Sequence, residues 1–182
     1  MKRALLVVLF LVIGFAALKG PEVNRHFNAK AVWRPVEGQG FTCEAPVSLA
    51  SKPFLDGGTA VGGLLGERFY LAAHQPMLKA GFDSSKFGSA EWAQVAEARN
   101  QFKAGIQKSA LQGGSLVFGD ASGFTGKTSD GGYVEVRFIE DGAHLFILHA
   151  ELRPFLVMKP SRDDFKKAKV DFDRFFASFQ KT

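Results

Sequence analysis

At 182 residues, with 46% hydrophobic and 23% charged residues, the chain has the make-up of one ordinary globular domain. Its net charge of +5 falls to +3 once Lys2 and Arg3 are set aside, and acids interrupt the remaining cations. So thin a spread excludes a nucleic-acid footprint, which needs a dense stripe of Lys and Arg, and a lone cysteine excludes an intramolecular disulfide.

Lys2 and Arg3 are followed by an uncharged apolar run from Ala4 to Leu18. A cationic start and a run of that length fit a secretory signal, since a spanning helix wants about 20 apolar residues. Residues 1–19 are therefore expected to act as a signal peptide or N-terminal membrane anchor. The product would be periplasmic or secreted, or tethered to the inner membrane. No Cys follows the run, which excludes lipoprotein anchoring. Residues 20–38 show no clear periodicity and contain Pro21 and Pro35, so they are expected to be a linker ahead of one domain over 39–182.

Within the domain, Phe41 to Leu49 alternates as a first strand ending near Pro46, with Cys43 on the face of Phe41 and Ala45. Nothing local activates Cys43, which is expected to be a small buried hydrophobe. Thr59 to Leu65 and Arg68 to Gln75 predict two strands around Gly66-Glu67. Gly62 and Gly63 weaken the first into an edge with a bulge.

Ser89 is the expected N-cap of a helix with Glu91 in its first turn. Trp92, Val95, Ala98, Phe102 and Ile106 fall on one face, and Gly105 and Gly113-Gly114 are expected to end it. Ser115 to Gly119 predicts a short strand.

Gly132 to Glu151 is the clearest stretch. Val134, Val136 and Phe138 alternate with Tyr133, Glu135, Arg137 and Ile139, and a second alternating run starts at His144. Asp141-Gly142 between them predicts a hairpin closed by a two-residue type I′ turn. After a loop bracketed by Pro154 and Pro160, Ser161 and Asp164 form a capping box. Phe165, Ala168, Phe172, Phe175, Phe176 and Phe179 then make an aromatic stripe at helical spacing. Most of the 19 Phe are expected in the core, with an apolar pocket as their other use. The order of elements predicts an α+β fold: an antiparallel sheet with two main helices packed on it, covered on one face.

Chemical motifs are sparse. Ala121 to Thr128, ASGFTGKT, fits a loosened phosphate-loop pattern, but Ser-Asp-Gly-Gly and a strand follow where that chemistry needs a helix N-terminus. His26, His74, His144 and His149 show no metal-ligand spacing, and His144 and His149, five apart on one strand, point to opposite faces. Asp163 and Asp164 are read as capping residues, and Lys166, Lys167 and Lys169 as a solvated helix face. No catalytic, cofactor-binding or metal site is assigned.

Phe41-Thr-Cys-Glu-Ala-Pro46 and Phe175-Phe176-Ala-Ser178-Phe179 match an opening F-x-x-x-x-P strand and a closing F-x-x-S-F helix. With the element order between them, residues 41–179 resemble the PsbP-like fold (the Mog/PsbP superfamily) in its small bacterial exported versions. The resemblance implies a strand, a hairpin, a helix, a Gly-marked strand, a long hairpin and a final helix. It also implies an accessory, binding role, and it carries over no catalytic residue and no cofactor. The expected function is a non-catalytic extracytoplasmic domain that binds an envelope protein partner, without nucleic acid, and with the membrane only through its N-terminal segment. Two alternatives stand beside it: a hydrolase assembled from His74, His149 and Asp120, and a carrier of an apolar ligand.

Overall fold

The computed structural model describes residues 30–79, 82–155 and 158–182. The expected signal or anchor, residues 20–29 of the expected linker, and His26 lie outside the described residues. Among the described residues the strands form two antiparallel sheets. The smaller contains β1 (Arg34–Gly38), β2 (Phe41–Ala45) and β10 (Gln180–Lys181), with β2 in the middle. The larger runs β3-β4-β5-β9-β8-β7-β6. Its strands are β3 (Ala50–Pro53), β4 (Thr59–Leu65), β5 (Arg68–Pro76), β6 (Ser115–Asp120), β7 (Gly123–Lys127), β8 (Tyr133–Asp141) and β9 (His144–Leu152).

Two long helices complete the fold, α1 (Ser89–Leu111) and α2 (Arg162–Ala177). The fold is α+β, and the strand, hairpin, helix, strand, hairpin, helix order that the resemblance implied is contained in it, with β1, β3, β7 and β10 as additional strands. The sheet is covered on both faces rather than one. α2 and the small sheet close the face carrying Tyr70, Ala72, Phe146, Leu148 and Ala150. α1 lies over the opposite face, with Val134, Val136, Phe138, Leu145 and Ile147. The cause is the alternation itself: β8 and β9 at the centre present apolar residues on both sides, so neither face can be left to water.

Several local expectations shift by a residue or a strand. Arg34–Gly38 pairs along its length with β2, from Arg34 opposite Ala45 to Gly38 opposite Phe41, so the ordered fold reaches into the stretch expected as linker. β4 is not an edge, because β3 pairs outside it, and its register with β5 runs unbroken from Thr59–His74 to Leu65–Arg68. The central hairpin pairs Asp141 with His144, so its turn is Gly142-Ala143. Gly142 has φ +54° and Ala143 does not adopt positive φ, the pattern of a II′ turn with Gly first rather than the I′ turn expected. The first residue of α1 is Ser89 itself. Gly88 is the N-cap, and the Glu91 carboxylate accepts the Gly88 N–H at 2.9 Å. Gly105 does not end the helix, which continues to Leu111.

α2 follows its expected course. Ser161 and Asp164 form the capping box: the Asp164 N–H donates to Ser161 Oγ at 3.2 Å, and the Ser161 N–H donates to Asp164 Oδ2 at 2.9 Å. Its aromatic stripe is buried, with Phe172 and Phe175 fully so, and Tyr70 meets both edge-on. Lys169 departs from the solvated-face expectation. Its Nζ donates to Glu135 Oε2 at 2.8 Å and Asp173 Oδ1 at 2.9 Å, and Arg137 bridges the same two acids. Burial pulls the Lys169 ammonium down, but the two carboxylates outweigh it and hold it above its ordinary value.

Candidate functional site

The three residues of the hydrolase alternative do not meet. His74, on β5, shares a face with Tyr70 and Ala72, under α2. His149, on β9, pairs with Leu71 and Val136 and looks out on the α1 side. Asp120 is exposed at the end of β6, where its carboxylate accepts from the Ser122 N–H at 2.7 Å and closes a turn. Residues on opposite faces of one sheet cannot share a substrate, so no site of that composition exists.

The phosphate-loop match also dissolves. Gly126 and Lys127 end β7, and a turn closed by Thr128, Asp130 and Gly131 leads into β8. Gly126 is small for another reason: Leu111 of α1 seats against it, and a Cβ there would stand 2.4 Å from Leu111 Cδ2. Cys43 is buried among apolar residues, and burial pushes its thiol up to about 11, so it is not a nucleophile at neutral pH.

One pair the sequence did not announce is His74 with His144, whose Nε2 and Nδ1 are 2.9 Å apart. The register of β5 on β9 creates it, setting Pro76 opposite His144 and His74 opposite Phe146. Burial first, and then the neighbouring His144, lower the pKa of His74, which keeps its ring neutral. Its Nδ1 and the Oγ1 of Thr59 across the strand are buried without hydrogen-bond partners among the described residues. Among the described residues no three His, Cys, Asp or Glu side chains stand close enough together to hold a metal ion.

An apolar concave feature lies on the α1 face. α1 is fixed at its middle by charge: Lys103 Nζ meets Glu140 Oε1 at 2.6 Å and the Ala121 carbonyl at 3.1 Å, and Arg99 meets Glu140 Oε2 at 3.0 Å and the Gly142 carbonyl at 2.6 Å. The Lys103 hydrogen bond is the main cause that holds the Glu140 carboxyl below its ordinary value. Leu111 fixes its C-terminal end.

Between these anchors Phe102, Ile106 and Ala110 pack partly buried against the sheet, beside a pocket of about 420 Å³. Leu71, Ile147 and His149 supply the sheet side, Phe102, Gly105, Ile106, Ser109 and Ala110 the helix side, and Phe54 and Leu55 the rim. Gly105 is exposed and a Cβ built on it would meet nothing within 4 Å, so a side chain there would enter open space. The expected helical face Trp92, Val95, Ala98, Phe102 and Ile106 is correct in part. Val95 is buried, but Ala98 is exposed, and Arg99 and Lys103 take inward places that an apolar periodicity cannot register.

His149 is the polar wall of this pocket. Its Nε2 is buried 3.5 Å from Glu151 Oε2, and Arg153 Nε holds the same oxygen at 3.0 Å. Burial alone would raise the Glu151 carboxyl, but the His149 contact and the Arg153 charge outweigh it and hold it below its ordinary value. Phe69 meets the imidazole edge-on and carries Arg153 on its face at 4.3 Å, which fixes the ring. A second depression, beside Pro160, interleaves Arg68, Arg153, Lys159 and Lys167 with Glu67 and Asp164, so it presents no field of one sign.

Taken together, the fold and the pocket define an α+β domain with an apolar cleft under one helix. No protein-family model and no curated protein matches the chain. Among solved structures it is similar to cyanobacterial PsbP (CyanoP) from Synechocystis sp. PCC 6803, with 10% identity, a TM-score of 0.45, and coverage of 84% of this chain and 94% of that one.

Proposed function

We propose that this chain is a non-catalytic, extracytoplasmic binding domain whose binding element is the cleft under α1, and that it takes a small apolar molecule there. The observation that carries the reading is the cleft itself: about 420 Å³, walled by Phe, Leu and Ile with two polar side chains, Ser109 and His149. Small-molecule sites run from about 300 to 1,000 Å³ and share this make-up of apolar walls with few polar groups. The charged start and apolar run from Lys2 to Leu18 support export.

Naphthalene, which is fluorescent and has no polar group, is the direct probe. It is expected to bind the purified domain with saturation, and at least tenfold more weakly to Gly105→Leu or Ala110→Leu, with the far-ultraviolet dichroism of both variants unchanged. Absence of saturable binding, or equal binding by two folded variants, would overturn the reading.

A partner protein remains the second reading, favoured by β6. Every residue of that edge strand is exposed, and Leu116, Val117 and Phe118 are 50, 60 and 63% exposed. An apolar edge of this kind invites an extended segment of another chain. If a partner docks there, Phe118→Lys abolishes its capture from native envelopes, and capture unaffected by that change removes the surface.

A further inference from the structure

Four of the described strands stand at sheet edges, β1 and β10 in the small sheet and β3 and β6 in the large one. Three of them are guarded. β1 carries Arg34, Pro35 and Glu37, β3 carries Lys52 and Pro53, and β10 carries Lys181. A strand added to such an edge would have to desolvate a charge or face a missing N–H, which keeps other chains away. β6 has no Lys, Arg or Pro, and its one charge, Asp120, stands at its last position. No residue of β6 lines the cleft under α1, so this edge is a separate feature.

β6 pairs with β7 on one side, from Ser115 opposite Lys127 to Asp120 opposite Gly123. Its other side offers the row of N–H and C=O groups that an edge strand leaves outside any ladder. Paired residues share a face. Leu116 therefore lies with Gly126 on the α1 side of the sheet, and Phe118 lies with Thr125 on the other. A strand added outside β6 gains most if it brings apolar side chains to both faces. The register with β7 shifts between Leu116 and Phe118, and a bulge of this kind raises the local right-handed twist that the added strand must follow. A second β6 meets both conditions.

Charge sets the direction. With two copies of β6 antiparallel and their ends matched, Ser115 of one copy stands beside Asp120 of the other. Lys127, next to Ser115 on the inner strand, then shares a face with that Asp120. Their backbones are two strand spacings apart, about 10 Å, which the two side chains shorten to well within a screening length. A parallel pair would instead set Asp120 beside Asp120. We propose that β6 pairs with β6 of a second copy of this chain, antiparallel about a twofold axis, joining two seven-stranded sheets into one continuous sheet. Six residues a side is far short of the roughly 20–30 of a stable interface, so the dimer is weak, with a dissociation constant of about 100 µM.

Sedimentation equilibrium of the purified protein, carried to about tenfold above that concentration, is expected to show a reversible dimer. Phe118→Lys is expected to weaken it at least tenfold, since it places on β6 the charge the other edges carry. Should Phe118→Lys alter the far-ultraviolet dichroism, Val117→Lys serves, with the same expectation. Val170→Lys, which removes an exposed apolar side chain from α2, is expected to leave the dimer within about twofold. Lys127→Glu is expected to weaken it about threefold, the reach of one exposed ion pair in each half. Amide exchange at Leu116 to Phe118 is expected to slow as the dimer forms. A monomer throughout the range, or a dimer that the β6 variants leave unchanged, overturns the proposal. So does a purified protein that stays monomeric while its β6 captures a different protein from native envelopes. A dimer that Lys127→Glu tightens overturns the antiparallel arrangement.

Discussion

The two faces of the large sheet are built to different standards. Under α2, Phe165, Phe172, Phe175 and Phe176 mesh with Tyr70 and the even-numbered residues of β9, and Glu135, Arg137, Lys169 and Asp173 seal the rim. Under α1, the helix is held by Arg99 and Lys103 on Glu140 at one place and by Leu111 at another, and between them Phe102, Ile106 and Ala110 are only partly buried beside the cleft. Protein interiors are otherwise packed to the density of crystals. On the proposed reading the cleft under α1 is the binding side of the sheet and the face under α2 the folding side.

The largest expected effect breaks the closed side. Phe172 has no exposed surface, so Phe172→Ala removes a ring from a site that cannot collapse and is expected to cost about 3–5 kcal/mol, read by chemical denaturation. A cost below 1 kcal/mol would mean that the α2 face is no better packed than the other.

Next comes the turn that Arg99 grips. Gly142 has φ +54°, a conformation that strains a β-branched residue, so Gly142→Val is expected to cost about 1–3 kcal/mol. An unchanged melting temperature would show that the turn does not adopt this conformation.

Gly105→Ala sharpens the contrast from the open side. Its Cβ meets nothing, and the glycine's extra backbone freedom is removed, so the variant is expected to be about 0.5–1 kcal/mol more stable than the parent. Destabilisation would mean that α1 is packed against the sheet there after all.

The smallest effect comes from the one soft place on the closed side. His74 has its folded pKa lowered from 6.5 by burial first and by His144 second, so below about pH 6.5 the unfolded chain binds a proton that the folded chain does not. Stability is therefore whole above that pH and drains as pH falls toward the folded value. Replacing His74 by Phe is expected to flatten that drift between pH 7.5 and 5.5 in thermal melts, and an equal drift in both proteins would place its origin elsewhere.

Much of the closed side was legible in the sequence because its signals are local. The Phe165–Phe179 stripe, the Ser161–Asp164 box and the alternation of β8 and β9 each declare themselves within a few turns or pairs. The open side was not. Gly105 read as an end of the helix, and only its position over Leu71 and Ile147 turns it into the wall of a cleft. Arg99 and Lys103 spoil the apolar periodicity of α1, because their reason for facing inward is Glu140, 37 and more residues away. His74 meets His144 only through the register of β5 on β9, which no single strand reveals. β1 lacked periodicity because it is held chiefly by its backbone ladder to β2, with most of its side chains toward solvent.

The claim that the α1 face binds and the α2 face folds is tested most directly by mapping amide chemical shifts while naphthalene is titrated into the labelled domain. The account predicts saturable shifts gathered at Leu71, Gly105, Ile106, Ile147 and His149, with Phe165 to Phe176 unmoved. Shifts centred on α2 or on β6, or none that saturate, would contradict it.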